Sequence, residues 1–498
     1  MSGLTSNLST GSVLARYRER VLKTGLPHED EIPLRKLGVP VEASEEQLQL
    51  WLHAELASAP VYNEPIAIDY EGNLDVPALE QAFNEILRRH EAWRTSFEWH
   101  DGKLLQLIAP ELSVKLTLID LRKISARRRE EKALRMAAED ARQEFDLSKT
   151  PLFRILLLRL DESQYRLYLT LHHIIFDGTS LRTILLPELE ALYSGYASGN
   201  AVHLPPLAVQ YADYSAAQKS WSERVGAEAQ LKFWEAQLSG NLPVLQLPLD
   251  YPRPSVRTFR GAAVKFQLPA ETGVALKMAG QVSNATLYMT VLAAFHVLLY
   301  HYTEQPDQVL GTATSTRKHP ATHKMLGLFL NTVVIRTRFS PEDSFANLVS
   351  RVREITLGVL SNDGIPFSAL VSRFDKSRTR GTSPLFQIMF SVDPPLPSLG
   401  KGWNYTEMDV ETGFAKFDLH LQMEERDESL LGRFIYSTDL FRKETIRQMA
   451  NDWTLLLSRI GADPHQTVAH LANDLPVEDD SSHATGFLSR KLRAMFAG

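Results

Sequence analysis

The stretch YRLYLTLHHIIFDG, residues 165–178, sets two adjacent histidines, an aspartate and a glycine in an apolar frame. Imidazole is the side chain whose charge changes nearest neutral pH. A histidine at a cleft can therefore accept a proton or orient a nucleophile by hydrogen bonding. In a strand, successive side chains alternate faces. Leu167, Leu169, Leu171 and His173 then share one side, and Tyr168, Thr170 and His172 the other. The two histidines cannot do the same job: one can reach a cleft while the other is held inside as support. The strand breaks at Asp177-Gly178, where glycine permits a tight turn into the next helix. A core strand that merely ends in a histidine doublet would look the same, but four fixed positions are more demanding than any single histidine.

The elements that must position these residues read as mixed α/β in two halves of similar size. In the first half, opening near Ser44, Asp75 caps a helix with Pro77 in its first turn and Leu79, Ala82, Phe83, Ile86 and Leu87 on one face. Strands are expected at 93–99 and 104–108 around an Asp101-Gly102 turn, then a charged helix at 127–144, then strands at 152–160 and 165–171. The helix after Gly178 should kink at Pro187. Composition turns to Gly, Asn and Pro around 197–206, which places the crossing between halves there. The second half repeats the alternation, with helices at 287–302, 345–360 and 443–460 and strands near 309–313, 332–337, 386–392, 417–423 and 431–437. The expected division is an extension at 1–40, halves at 41–200 and 201–475, and an acidic linker with an amphipathic helix at 476–498.

Composition narrows the chemistry. Of 498 residues, 44% are hydrophobic and 23% charged, as in a soluble globular protein, and the net charge of -6 argues against a nucleic-acid binder. With no cysteine, disulfides, thiolate zinc sites and a Cys nucleophile are excluded, which fits a cytoplasmic setting. The N-terminus lacks the apolar core of a secretory signal, and the apolar window 287–299 is shorter than a bilayer span, so no membrane association is expected. The nucleophile elbow, the P-loop, the dinucleotide fingerprint and the zincin helix are all absent, and no metal site is predicted.

HHIIFDG resembles the signature of the condensation domains of nonribosomal peptide synthetases, which share their fold with chloramphenicol acetyltransferase. The resemblance extends in order along the chain. Ser44, Gln47 and Trp51 match the opening element, although Glu46 and Gln49 depart from it. Tyr62-Asn63, RHEAWRTSF (89–97), FDLSKTPLFR (145–154), YADY (211–214), GLFLNT (327–332) and PLFQIMF (384–390) resemble further family motifs. Asn362-Asp363-Gly364 and Gly381-Thr382 depart from the common pattern and bear on substrate choice. The intact histidine pair argues against heterocyclization domains, which carry Asp there.

The resemblance implies two chloramphenicol-acetyltransferase-like subdomains arranged as a V, with a central tunnel entered from opposite faces by two phosphopantetheine arms. It implies transfer of an acyl or peptidyl group from a carrier thioester to an acceptor amine, in nonribosomal peptide or hybrid peptide-polyketide synthesis. His173 would be the catalytic residue, acting as a base or by orienting the amine. His172, Asp177, Gly178 and Arg94 would support it, with Arg94 pairing Asp177 and Arg154 as a substitute partner. No covalently bound cofactor is implied, since the substrates ride on the phosphopantetheine of carrier proteins or neighbouring synthetase modules. Without a carrier attachment site or an adenylation region, both substrates are expected in trans or from a longer synthetase.

Other readings use the same residues. Transfer from coenzyme A to a free acceptor, giving an ester or an amide, would use the same histidine. An epimerization domain would need an extra acid across the tunnel. A non-catalytic carrier-recruiting domain would be expected to carry a degraded motif. The basic run at 122–135 reads either as a face for an acidic carrier or as a solvated helix with charge pairs. The amphipathic patterns at 13–22 and 487–496 read either as helices packed on the domain or as docking elements.

Overall fold

A computed structural model describes residues 32–57, 59–200, 202–224, 227–375, 383–393, 399–406, 410–426 and 429–476. The amphipathic patterns at 13–22 and 487–496 lie outside the described residues.

Among the described residues, the first half contributes seven strands: β1 (Val41–Glu42), β2 (Asn63–Glu71), β3 (Thr95–His100), β4 (Lys103–Ile108), β5 (Leu118–Asp120), β6 (Phe153–Arg159) and β7 (Gln164–His172). The second contributes β8 (Gly261–Pro269), β9 (Asp307–Ser315), β10 (Leu330–Arg338), β11 (Ile388–Asp393), β12 (Trp403–Thr406), β13 (Leu419–Arg426) and β14 (Ser429–Ser437). These strands form three sheets, ordered β1-β4-β3, β12-β2-β7-β6-β5 and β10-β9-β11-β13-β14-β8.

The sheet that ends in the histidines is covered on both faces. Ile66 and Ile68 of β2 and Leu167, Leu169 and Leu171 of β7 enter the first core with the helix Val76–Arg89. That helix starts as its sequence dictates. The Asp75 carboxylate accepts from the Ala78 N–H at 3.0 Å, and the five predicted apolar residues are buried. On the other face, Ala67 and Tyr168 meet Ala133, Ala137 and Ala141 of the helix Ala126–Ala141. The outward side of this helix is charged, and Arg127 pairs with Glu131 at 3.2 Å. In the second half, the helix Leu287–Thr303 is buried almost all round, between the six-stranded sheet and the helices Phe345–Ser361 and Lys443–Ala462.

The structure corrects or adds to the expected elements at three places. Residues 91–94 form a tight turn rather than the start of a strand, because the Arg94 guanidinium folds back to the Leu87 carbonyl at 2.8 Å. The helix around Pro187 is not uniform. The chain widens into a π-helical turn, Ser180–Leu185, and re-enters α-helix at Leu186–Ala197 with Pro187 in the first turn. The wider π turn sits on the N-terminal side of a residue that cannot donate to the preceding turn.

The third place is the expected division at residue 200, which pairings and packing cross. β12 pairs with β2, and Tyr405 is buried in the first core. Tyr211, Tyr214 and the segment Met325–Phe329 enter the same core. The halves are therefore interlocked, and the first sheet is completed by a strand from the second.

Candidate active site

β2 and β7 run antiparallel, with Asn63 opposite His172 and Glu64 opposite Leu171. The strand ends at His172, and His173 opens a short 3₁₀ turn, its N–H bonded to the Tyr62 carbonyl at 2.9 Å. The two imidazoles occupy different surroundings. His172 is buried beside the Phe145 and Tyr62 rings, and its Nδ1 accepts from the Ile174 N–H at 3.4 Å. Burial, reinforced by positive neighbours, pushes its imidazole down to about 3. His173 lies stacked on Phe176, ring centroids 4.9 Å apart, and its buried Nδ1 has no hydrogen-bond partner among the described residues. Burial and then the Lys416 ammonium hold its imidazole below the ordinary value, so it is neutral at pH 7.

Asp177 caps the helical turn after the motif. Its carboxylate accepts from the Ser180 N–H at 2.6 Å and from the Phe329 N–H at 2.9 Å. The cation beside it is Arg317, whose Nη2 lies 3.2 and 3.3 Å from the two carboxylate oxygens. This corrects the expected pairing with Arg94. That guanidinium instead donates to the backbone carbonyls of Leu87, Ala109 and Pro110. Arg154, the substitute, is engaged by Asp140 at 2.8 Å and covers the Phe145 ring. No local pattern pointed to Arg317, which is 140 residues from Asp177 and in the other half. Gly178 has an ordinary backbone angle, and a Cβ added there would meet nothing within 4 Å. Its expected role in permitting a tight turn is therefore not required sterically.

Several motifs that the sequence placed far apart converge on this carboxylate. Ser44 Oγ lies 2.8 Å from the Tyr211 hydroxyl, which donates to the Leu328 carbonyl at 2.7 Å. Gly327 must be a glycine, because a Cβ would come within 2.0 Å of the Tyr211 ring. Arg317 also donates to the carbonyls of Thr322 and Met325 and covers the Phe329 ring at 4.0 Å. Lys318, next in sequence, pairs with Asp363, which ties the departing Asn362-Asp363-Gly364 segment to the same network.

Near His173 the second half supplies charge. Lys416 pairs with Glu64 across the halves, and its ammonium lies 5.1 Å from the centre of the Tyr62 ring. Burial alone would raise the Glu64 carboxyl, but Lys416 and then His173 bring it down to about 2. Beyond them, His420 Nε2 lies 2.8 Å from Ser391 Oγ. Burial and the nearby Arg433 and Lys416 push this imidazole down to about 3. His420, Gln422 and Glu424 alternate with the core residues Leu419, Leu421 and Met423, so the opposite face of β13 is polar. There Gln422 bonds Asp393, and both Asp393 and Glu424 meet the fully buried Arg182 of the first half. Sequence reasoning missed Glu64, Lys416 and His420. Glu64 directly follows the Tyr62-Asn63 pair, and that adjacency was the one cue to any of the three.

The described residues contain no helix long and apolar enough to cross a membrane. The family model described as "Condensation domain" matches residues 41–479. One of the proteins that make up the linear gramicidin synthase of Brevibacillus parabrevis is 37% identical over 453 residues, which are 90% of this chain and 6% of that protein. Phosphinothricin tripeptide synthetase PhsC of Streptomyces viridochromogenes is 35% identical over 466 residues, 89% of this chain and 42% of that protein. The chain thus spans less than half the length of these relatives. Among solved structures, the X-domain from teicoplanin biosynthesis superposes with a TM-score of 0.77 at 26% identity, covering 90% of this chain and 100% of that one. The condensation domain from the Monacolin K polyketide synthase MokA gives the same TM-score at 20% identity over 86% and 99%, a likeness of fold.

Proposed function

We propose that this chain, which belongs to the condensation domain family, joins a carrier-bound acyl or peptidyl group to the amine of an acceptor, forming an amide. The observation that carries the reading is His173: a neutral ring whose buried Nδ1 has no hydrogen-bond partner among the described residues, with the Lys416 ammonium of the other half nearby. An α-amine with a pKa of ~8 is already partly neutral near pH 7 and needs no strong base. A histidine held below its ordinary pKa is a poor base and a good hydrogen-bonding partner. His173 therefore orients the attacking amine and steadies the addition species. Its backbone bond to Tyr62 and its stacking on Phe176 fix the ring. Asp177, with Arg317, pins the turn that follows. The substrates ride on phosphopantetheine arms of carrier proteins or neighbouring synthetase modules.

Intact-protein mass spectrometry of candidate carriers, before and after incubation with this protein, tests the reading. Loss of the acyl mass from the donor carrier with gain of that mass on the acceptor carrier is the expected result. No transfer to any acceptor would overturn it.

A second reading, recruitment without chemistry, is favoured by the likeness to the teicoplanin X-domain, which is found in complex with OxyB. Under that reading carriers would bind and their masses would stay unchanged.

A further inference from the structure

Glu64 and Lys416 are 352 residues apart and bridge the two halves beside His173. Both are held by rigid backbone. Glu64 lies in β2, paired to Leu171 just before the histidines. Lys416 is anchored on both sides: the Ala415 N–H bonds the Phe259 carbonyl at 2.9 Å, and Arg257 donates to the Lys416 carbonyl at 2.8 Å. Yet the two side chains are not sealed away. They remain 31% and 29% exposed, unlike the Arg182–Glu424 pair deeper between the halves, where both are at 0%. Two opposite charges on anchored backbone thus stand, partly exposed, near the imidazole.

The chemistry of amide formation gives such a pair a use. A neutral amine adds its lone pair to the thioester carbonyl carbon and the C–N bond forms. The carbonyl π electrons move to oxygen. The addition species then carries a positive nitrogen and a negative oxygen, although both reactants were uncharged. Collapse restores the carbonyl, breaks the C–S bond and leaves the nitrogen's extra proton on the departing thiol sulfur. A preorganised dipole aimed at this zwitterion stabilises it and not the neutral reactants, which is the condition for accelerating the step.

We infer that Glu64 and Lys416 form a fixed charge pair that complements the addition species, the carboxylate facing its positive nitrogen and the ammonium its oxyanion. The inference rests on the amide-forming reading and adds two residues to it. The other charged or titratable groups near the pair are His172, His173, His420, Arg433, Arg257 and Tyr62. Of these, the neutral His173 orients the amine, and the pair supplies the field.

The test is single-turnover kinetics with loaded carriers, together with melting curves. The double variant Glu64→Gln/Lys416→Met keeps the volume and removes both charges without stranding either. Its rate constant should fall about 10²-fold, the scale of losing one preorganised partner to developing charge, with acceptor KM little changed. The exchanged variant Glu64→Lys/Lys416→Glu restores a bridge with the dipole reversed. It should recover melting temperature relative to the single substitutions and not recover rate. A native-like rate in the neutral double variant would overturn the inference, as would an exchanged variant that recovers rate along with stability. In either case the pair would be only a strut. A wild-type protein that makes no amide would overturn the reading of function and this inference with it, whereas an active wild type matched by the neutral variant sinks the inference alone.

Discussion

Arg317 holds Asp177 from the other half of the molecule: its Nη2 reaches both carboxylate oxygens, and its Nη1 grips the carbonyls of Thr322 and Met325. The aspartate that follows the histidines is thus part of a seam between halves. It is fully buried, and two backbone N–H groups also depend on it.

Asp177→Ala should therefore destabilise the fold by roughly 3–5 kcal/mol, because it strands a buried guanidinium. The sharper check is a double-mutant cycle by urea denaturation. Asp177→Ala and Arg317→Met should couple strongly, whereas Asp177→Ala and Arg94→Ala should add. Coupling to Arg94 alone would contradict the geometry.

The two histidines should fail differently. His173→Ala is expected to melt like the parent and lose about 10²–10⁴-fold in rate. His172→Ala removes the acceptor for the Ile174 N–H and empties a site between Phe145 and Tyr62. It should cost about 1–3 kcal/mol of stability. Melting curves and single-turnover rates sort the two, and near-normal turnover by His173→Ala would end the proposed mechanism.

Carrier dependence is the third expectation. Tethering raises the effective concentration of each substrate, so an acyl group on its carrier should react far faster than the same group on coenzyme A. Equal kcat/KM for the two donors would favour a free-standing acyltransferase.

Stability should also respond to acid through buried neutral histidines. His296 is buried between Gln308 and Thr337, and burial holds its imidazole at about 4. The folded-state value lies below the unfolded ~6.5, so between pH 6.5 and 4 the unfolded chain binds a proton that the native state refuses. Stability then falls as pH falls through that window and is unaffected above it. Relative to His296→Asn, the native protein should lose an extra ~1.4 kcal/mol per pH unit between pH 6 and 4.5. Parallel stability profiles would show that the imidazole is not buried uncharged.

Local order was legible in the sequence wherever one short stretch decides it. The Asp75 cap, the apolar face from Leu79 to Leu87 and the strand before the histidines all depend on neighbours a few residues away. The resemblance to a known family carried the fold class. What escaped were partners set by the tertiary fold: Arg317 for Asp177, Lys416 for Glu64 and β12 for the edge of β2. Each joins residues from different halves, and no periodicity encodes such a meeting. Arg94 was misassigned for a different reason. Its real acceptors are backbone carbonyls, which any sequence offers everywhere.

The strand β12 reaches β2 from about 330 residues downstream. A ribosome adding ~5–20 residues per second needs roughly 17–66 s to synthesise that interval. Throughout it, the nascent first half presents an unpaired β2 edge, with a vacancy where Tyr405 will lodge. Unpaired edges template association with other chains. During synthesis the edge of the histidine-bearing sheet therefore waits a long interval for its last strand.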